Sequence, residues 1–494
     1  MFQIDWLARH ALYSPDKIAV IEIASGRRVS YAEFNAEANR VCRYLRDRGV
    51  RPGDRVSVLL PSCAELLFVL FGTTKLGGIF VPLNHKLAAP EIAQIVADAQ
   101  PGVVFYDPEF EHLAQVGWVP IETAMQAWTT MPATDIGRLS GDLEAPQMLL
   151  YTSGTTGKPK GVVISHRHVL WNAINTSLRM LMPAGIALVH TPMFYTGGLN
   201  VFTLPAFFLG ATVAILKTFA ADEVLREVER LKITALFAVP TQLLMMADSP
   251  AFHTADLSGL RYIISGGAPC PVSLIQRWID RGITLRQGFG LTEVGPNCFA
   301  LDARDALRKA GSIGFPNFSV EARIVDEEGR DVPPSDVGEL ILRTPAMCSG
   351  YWNNPGQTAA AIRDGWFHTG DLARCDAEGY FYIVDRKKDM FISGGENVYP
   401  AEIENLLRTH PKVADAAVVG MPHPKWGETG CAVIVLRPDE GITGTELLAF
   451  CAGKIAKFKI PKLLVFLDEL PRTVSGKVRK QELKEWIGEQ SPSR

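Results

Sequence analysis

The sequence predicts an α/β protein: a large amino-terminal domain of parallel-rich sheets covered by helices, carrying a small β-rich subdomain, and then a small α+β carboxy-terminal domain. Three observations lead there. Helix-period and strand-like segments alternate between residues 30 and 300, the pattern left by parallel strands joined through helices. After about Gly311 the texture changes to short β-like pieces separated by turns. Five consecutive charged residues, Asp385-Arg386-Lys387-Lys388-Asp389, then mark a boundary before a stretch of mixed helix and strand patterns. The expected domains are 1–385, with 311–385 as the β-rich subdomain, and 386–494.

Taken in order, Phe34, Ala38, Val41 and Leu45 recur at helical spacing and mark one buried face, and 55–60 reads as a buried strand. From 66 to 83 the chain is strongly apolar, but Lys75 interrupts it, Gly77-Gly78 ends the helix and Pro82 follows. A membrane span needs about 20 uninterrupted apolar residues, so a buried helix and strand are predicted. Next come a strand at 211–216, a helical face of Val224, Val228 and Leu231, and strands at 233–239 and 260–265. The β-rich part is expected to use 320–325, a turn at Glu328-Gly329, 338–343 and 380–384. In the last domain Ile403, Leu406 and Leu407 share a helical face, 416–419 and 431–436 read as strands, and Leu483, Trp486 and Ile487 lie on a closing helix.

Acidic and basic residues are mixed along the 494-residue chain and the formal net charge is −3, so no electrostatic footprint for nucleic acid exists. Eight scattered cysteines contain no C-x-x-C pair, which argues against a zinc site or a disulfide framework and fits a reducing cytoplasm. The amino terminus has no basic region followed by an apolar stretch, so a secretory signal is not expected. Neither an internal repeat nor a low-complexity tract is present. A cytoplasmic protein without a transmembrane segment is expected; peripheral contact with a membrane and a homodimer are left open.

The chemistry begins at Tyr151-Thr152-Ser153-Gly154-Thr155-Thr156-Gly157-Lys158-Pro159-Lys160-Gly161, which packs four small hydroxyl residues, three glycines and two lysines into eleven positions. Backbone N–H groups freed by glycine can close on phosphate oxygens, hydroxyls add donors, and lysines add charge. The segment reads as a polyphosphate clamp, with a flexible linker as the reading if it stood alone. It is not a Walker A loop, because that spacing would need Gly at 152 and a hydroxyl at 159, where Thr152 and Pro159 stand.

This segment resembles the ATP-phosphate loop of the adenylate-forming superfamily, which comprises acyl-CoA synthetases, non-ribosomal adenylation domains and firefly luciferase. Four further segments follow in that superfamily's order. Gln287-Gly288-Phe289-Gly290-Leu291-Thr292-Glu293 is similar to the adenine and magnesium motif, and Thr369-Gly370-Asp371 to the ribose motif. Asp385 to Asp389, followed by Ile392-Ser393-Gly394-Gly395-Glu396-Asn397-Val398-Tyr399-Pro400, resembles the hinge and the thioester-forming loop. Pro471-Arg472-Thr473-Val474-Ser475-Gly476-Lys477 resembles the carboxy-terminal lysine motif.

The resemblance implies an acyl-CoA ligase using ATP, Mg²⁺ and coenzyme A, with 386–494 as a mobile lid swinging about Asp385. Thr152, Ser153, Gly154, Thr155, Thr156, Gly157 and Lys160 would hold phosphates. Gly267, Ala268, Gly288, Phe289 and Gly290 would bound the adenine, where the superfamily usually has Tyr in place of Phe289. Asp371 and Arg386 would contact ribose, although Asp371 also reads as a helix cap. Glu293, with Thr292 beside it, would ligate Mg²⁺. Lys477, a surface lysine by composition alone, would reach the carboxylate and α-phosphate. Gly394, Gly395 and Glu396 would line the coenzyme A channel; Lys457, Phe458 and Lys459 resemble its mouth and read equally as a solvated helix end.

The acid pocket implied by the resemblance comprises Tyr195, Gly197, Phe237, Val239, Gly266 and Leu291, all without fixed charge. That excludes a dicarboxylate, which needs a buried cation, and an amino acid, for which relatives carry Asp near position 195. A medium- or long-chain fatty acid or an aromatic monocarboxylate is expected, and Gly197 and Gly198 leave room. Tyr195 departs from the His of many acyl-CoA synthetases. Loading of a carrier-protein thiol and a non-catalytic acyl or nucleotide sensor are the alternatives.

Overall fold

The first apolar stripe, Phe34, Ala38, Val41 and Leu45, lies on the helix Tyr31–Asp47 of the computed structural model, and all four side chains are buried. Ser30 starts this helix. Its hydroxyl accepts from the Glu33 N–H at 3.2 Å while the Glu33 carboxylate accepts from the Ser30 N–H at 2.7 Å, satisfying two donors that the helix itself cannot. The structure describes residues 5–136, 141–153, 159–180, 185–268, 270–393, 396–438, 440–473 and 476–490. They fall into two units, Met1–Glu321 with Leu342–Phe367, and Ala322–Ile341 with His368–Arg494, so the stretch 311–385 contributes to both.

In the first unit the apolar run becomes the helix Ala64–Leu76 and the strand Ile79–Pro82. No helix among the described residues is long and apolar enough to cross a membrane. Lys75, at the end of that helix, is buried and forms an ion pair with buried Asp5. Two sheets organise the unit. One runs Val119–Pro120, Val103–Tyr106, Arg55–Leu59, Ile79–Pro82, Pro146–Ser153, Pro159–Ser165 in spatial order, parallel except for its last pair. The other has nine strands, with a parallel centre of Ile18–Glu22, Thr212–Ile215, Ile186–Val189, Ala235–Ala238, Tyr262–Ser265 and Leu285–Leu291 and antiparallel edges. The predicted helical face of Val224 and Val228 covers it on the helix Ala221–Leu231.

In the second unit, 371–375 pairs antiparallel with 381–386, placing Asp371 opposite Arg386. A second sheet orders Glu396–Val398, Phe391–Ser393, Gly427–Leu436 and Val413–His423, with Leu463–Phe466 parallel to Gly427–Leu436. Alternate residues point to opposite faces of a strand, and both faces are covered. Val418 and Ile434 pack with Ile403 and Leu407 of the helix Pro400–Arg408, while Val419 and Val433 pack with Leu483 and Ile487 of the helix Lys480–Gln490.

All eight cysteines are free, six of them buried. Desolvation is the largest influence at every one and pushes each thiol up, to about 11 at Cys42 and about 12 at Cys348.

Candidate functional site

The strands Pro146–Ser153 and Pro159–Ser165 form a hairpin with Thr152 opposite Lys160 and Ser153 opposite Pro159. Gly154, Thr155, Thr156, Gly157 and Lys158, between the two strands in sequence, lie outside the described residues, as does the Ser153 side chain. The following helix starts only at His166, a full strand away. The segment 349–352 crosses the hairpin: Ser349 N–H donates to the Val163 carbonyl at 3.0 Å, Val163 N–H to Gly350 at 2.9 Å, and Trp352 N–H to Gly161 at 2.7 Å. Between these bonds stands Tyr351, bridged to Val162. The Lys160 ammonium lies 5.4 Å above the centre of its ring.

A second hairpin, Leu285–Leu291 and Gly295–Ala300, carries the adenine and magnesium motif. Phe289 is half-buried and meets Phe299 edge-on at 5.8 Å. At Gly290 a Cβ would fall 2.3 Å from the Pro296 carbonyl carbon, so only glycine lets the two strands approach. Thr292 and Glu293 sit, half-buried, in the connecting turn. Three bonds hold that turn. Cys348 N–H donates to the Glu293 carbonyl at 2.6 Å, Tyr351 Oη donates to Glu293 Oε1 at 3.0 Å, and the Cys298 thiol lies 3.1 Å from the Val294 and Gly295 carbonyls. Among the described residues no group of three or more His, Cys, Asp or Glu gathers as a metal cage. A lone carboxylate with one oxygen already bonded suits Mg²⁺, which takes most of its ligands from phosphates and water.

Beside this hairpin the strand Tyr262–Ser265 leads into Gly266, Gly267 and Ala268. Gln287, quoted in the motif but given no role there, fixes this loop: its Nε2 donates to the Ala268 carbonyl at 3.3 Å and its Oε1 accepts from Cys270 N–H at 3.1 Å. Phe237 meets two of the residues expected to line the acid pocket. A Cβ at Gly266 would meet its ring at 3.2 Å, and one at Gly197 would meet it at 3.3 Å. Val239 lies 3.6 Å from the corresponding point at Gly267, and Leu291 ends its strand half-buried. The room expected at the two glycines is filled by protein: Phe237 covers Gly197, and a Cβ at Gly198 would fall 2.2 Å from the Pro192 carbonyl oxygen.

Sequence reasoning missed Asn84. Its Nδ2 donates to Tyr195 Oη at 3.0 Å. Its Oδ1 accepts from Lys86 N–H at 2.9 Å, which fixes the amide's orientation. Tyr195 therefore accepts this bond and keeps its own proton. Burial pushes the phenol up to about 12.

In the second unit, Arg386 Nε sits 2.5 Å from Oδ1 of buried Asp371. Glu339 supports the pair from behind: its Oε1 accepts from Gly370 N–H and its Oε2 from Lys387 Nζ, both at 3.3 Å. The Asp385 carboxylate accepts from Arg386 N–H at 2.7 Å and from Ala401 N–H at 2.8 Å, within the first turn of the helix Pro400–Arg408. Burial raises its pKa, with Lys480 opposing. Gly394 and Gly395, between the strands Phe391–Ser393 and Glu396–Val398 in sequence, lie outside the described residues, and Glu396 is exposed. Lys459 pairs with Glu402 at 2.7 Å and Phe458 is exposed. Lys477 is exposed beside Gly476, whose φ of +83° lies in the left-handed region that glycine permits.

A family model described as AMP-binding enzyme matches residues 7–352, and one described as AMP-binding enzyme C-terminal domain matches 402–477. The chain is 40% identical over 493 residues to a feruloyl-CoA synthase of an Amycolatopsis species, covering 98% of both proteins. It is 40% identical over 501 residues to an indoleacetate–CoA ligase of Aromatoleum aromaticum, again covering 98% of both. Among solved structures, the o-succinylbenzoate coenzyme A synthetase of Bacillus subtilis in complex with ATP and magnesium ion superimposes with a TM-score of 0.88 at 31% identity, over 97% of this chain and 99% of that one.

Proposed function

The chain belongs to the AMP-binding enzyme family, and we infer that it is an ATP-dependent acyl-CoA synthetase, an acid–thiol ligase acting on a fatty or aromatic monocarboxylic acid. One observation supports this most: Lys160 of the glycine-rich hairpin and Glu293 of the second hairpin meet on a single side chain, Tyr351. This supports a reading in which the residue proposed for phosphate and the residue proposed for the metal act side by side.

A carboxylate is a poor acyl donor because it would have to expel oxide or hydroxide. Transfer to AMP removes that obstacle, but the acid anion must first approach the α-phosphorus of a polyanion. The 151–161 hairpin and Lys160 would hold the β- and γ-phosphates, and Glu293 would hold Mg²⁺. When bound, the ion neutralises charge gathering on the departing pyrophosphate. Gln287 would keep the backbone at Gly267 and Ala268 against the adenine edge with Phe289 at its face, while Asp371 and Arg386 would hold the ribose. Lys477 would steady the carboxylate and α-phosphate. In the second half-reaction the coenzyme A thiol displaces AMP, with the thiol arm passing Gly394, Gly395 and Glu396 after the lid 386–494 turns at Asp385.

For the acid we propose an aromatic body. Two relatives at 40% identity are named for aromatic acids, and Phe237 among the expected pocket residues offers an aromatic surface, which supports this reading. With ATP, Mg²⁺ and coenzyme A, arylpropenoic or arylacetic acids are expected to give AMP, pyrophosphate and thioester in equal amounts, at higher kcat/KM than long saturated acids. The reverse ranking would assign a fatty substrate, thioester formed only on a carrier protein would assign the loading alternative, and ADP in place of AMP would overturn the activity. Eight free thiols support a cytoplasmic location.

Tyr195 gives this reading a pH signature. A phenol at about 12 stays neutral, so this group should leave the KM for the acid flat between about pH 6 and 9. Tyr195→His brings a group titrating near about 6.5. Its imidazolium attracts the carboxylate, so KM should rise as pH climbs through that value. Initial rates against acid concentration across the range would decide it; a flat profile in the variant would place position 195 away from the carboxylate.

A further inference from the structure

We propose that Tyr351 is a positioning residue for adenylation, one that favours metal binding through a single oxygen of Glu293 and fixes Lys160 against the same phosphates. The proposal rests on the assignment of Glu293 to magnesium and Lys160 to phosphate.

The hydrogen bond has only one direction. An ionised carboxylate accepts and cannot donate, so the phenol of Tyr351 supplies the proton to Glu293 Oε1 at 3.0 Å. Bonds between a neutral donor and a carboxylate are among the stronger side-chain contacts. The Tyr351 backbone is bridged to Val162 of the phosphate hairpin, and its N–H donates to Thr358 Oγ1 at 2.9 Å. The side chain thus links a segment bonded to the phosphate hairpin with the turn that carries Glu293. Its ring face lies 5.4 Å below the Lys160 ammonium, within the range of about 6 Å over which a cation is drawn to an aromatic face.

The consequence is a constraint on metal geometry. With one lone pair of Oε1 taken by Tyr351, Glu293 would present Oε2 to the metal and favour binding through one oxygen. Single-oxygen ligation suits Mg²⁺, whereas Ca²⁺ favours larger coordination shells in which carboxylates bind through both oxygens. Tyr351→Phe retains the ring under Lys160 and removes only the hydrogen bond. It should weaken Mn²⁺ binding in the presence of α,β-methylene-ATP by about tenfold and narrow the preference for Mg²⁺ over Ca²⁺ measured by competition. Tyr351→Leu removes the ring as well and should also weaken metal-free nucleotide binding.

The test is Mn²⁺ titration followed by electron paramagnetic resonance, with nucleotide affinity from calorimetry, on wild type, Tyr351→Phe, Tyr351→Leu, Glu293→Gln and the Phe/Gln double variant. If Tyr351 acts through Glu293, the double variant binds Mn²⁺ no more weakly than Glu293→Gln alone. Wild-type metal affinity and selectivity in Tyr351→Phe, or additive losses in the double variant, would overturn the proposal. Unchanged Mn²⁺ binding in Glu293→Gln would instead overturn the metal assignment beneath it.

Discussion

Lys477→Ala is expected to lower acyl-adenylate formation by several hundredfold while leaving conversion of supplied acyl-adenylate to thioester within a few-fold of wild type. The size follows from Coulomb's law: one charge brought near the reacting carboxylate and α-phosphate, at an effective dielectric of about 20, is worth about two to three orders of magnitude in rate. The selectivity follows from the division of labour, since the thiol step would use the glycine loop and not this lysine. The segment that carries it has bonds that do not use the Lys477 side chain. Thr473 N–H donates to the Lys477 carbonyl at 2.7 Å and Lys477 N–H to Thr473 Oγ1 at 3.1 Å. Arg472 binds both the Gly476 carbonyl and Asp415. All of these are backbone contacts or belong to other residues. Pyrophosphate release and a single-turnover assay from synthetic acyl-adenylate, run on the same preparation, would test both halves; equal losses would refute the separation of roles.

The second large effect is on stability. Lys75→Met should destabilise the protein by about 3–5 kcal/mol, because it strands the Asp5 carboxylate in the core. The two side chains are only 1% and 4% exposed, so water cannot replace the lost partner. Asp5 also caps the helix Trp6–Tyr13 by accepting from Ala8 N–H at 3.0 Å. That helix is otherwise held by Trp6 against Phe208 and by His10 bonded to the Phe208 carbonyl. Adding Asp5→Asn retains a capping acceptor and removes the charge, so the double variant should recover more than half of the loss. Denaturant unfolding of the single and double variants would measure both. A single-variant loss below about 1 kcal/mol would mean that water reaches the pair.

The periodic parts of the fold were legible because local sequence already obeys the final geometry. Phe34, Ala38, Val41 and Leu45 repeat at helical spacing and their helix buries them; Val418 and Val419 alternate in the sequence and separate onto two cores. The strand that follows the glycine-rich residues was not legible in the sequence. Pro159, Lys160 and Gly161 are poor strand residues by propensity, and they form a strand because Pro146–Ser153 and the crossing segment 349–352 supply its hydrogen bonds. Asn84 and Tyr351 were invisible for a related reason. Their partners, Tyr195 and Glu293, lie 111 and 58 positions away, and no local pattern distinguishes such a side chain from any other polar one. The glycines in the acid pocket misled in the opposite direction, since a missing side chain in sequence says nothing about whether Phe237 or the Pro192 carbonyl fills the gap.

Eight thiols whose titration is pushed up, six of them buried, bear directly on how turnover can be watched. Disulfide-exchange dyes react with thiolate anions that solvent can reach, and the native chain offers almost none. Disappearance of the cofactor's sulfhydryl can accordingly be followed by quenching aliquots into such a dye without protein background, and a rising blank would report unfolding rather than catalysis.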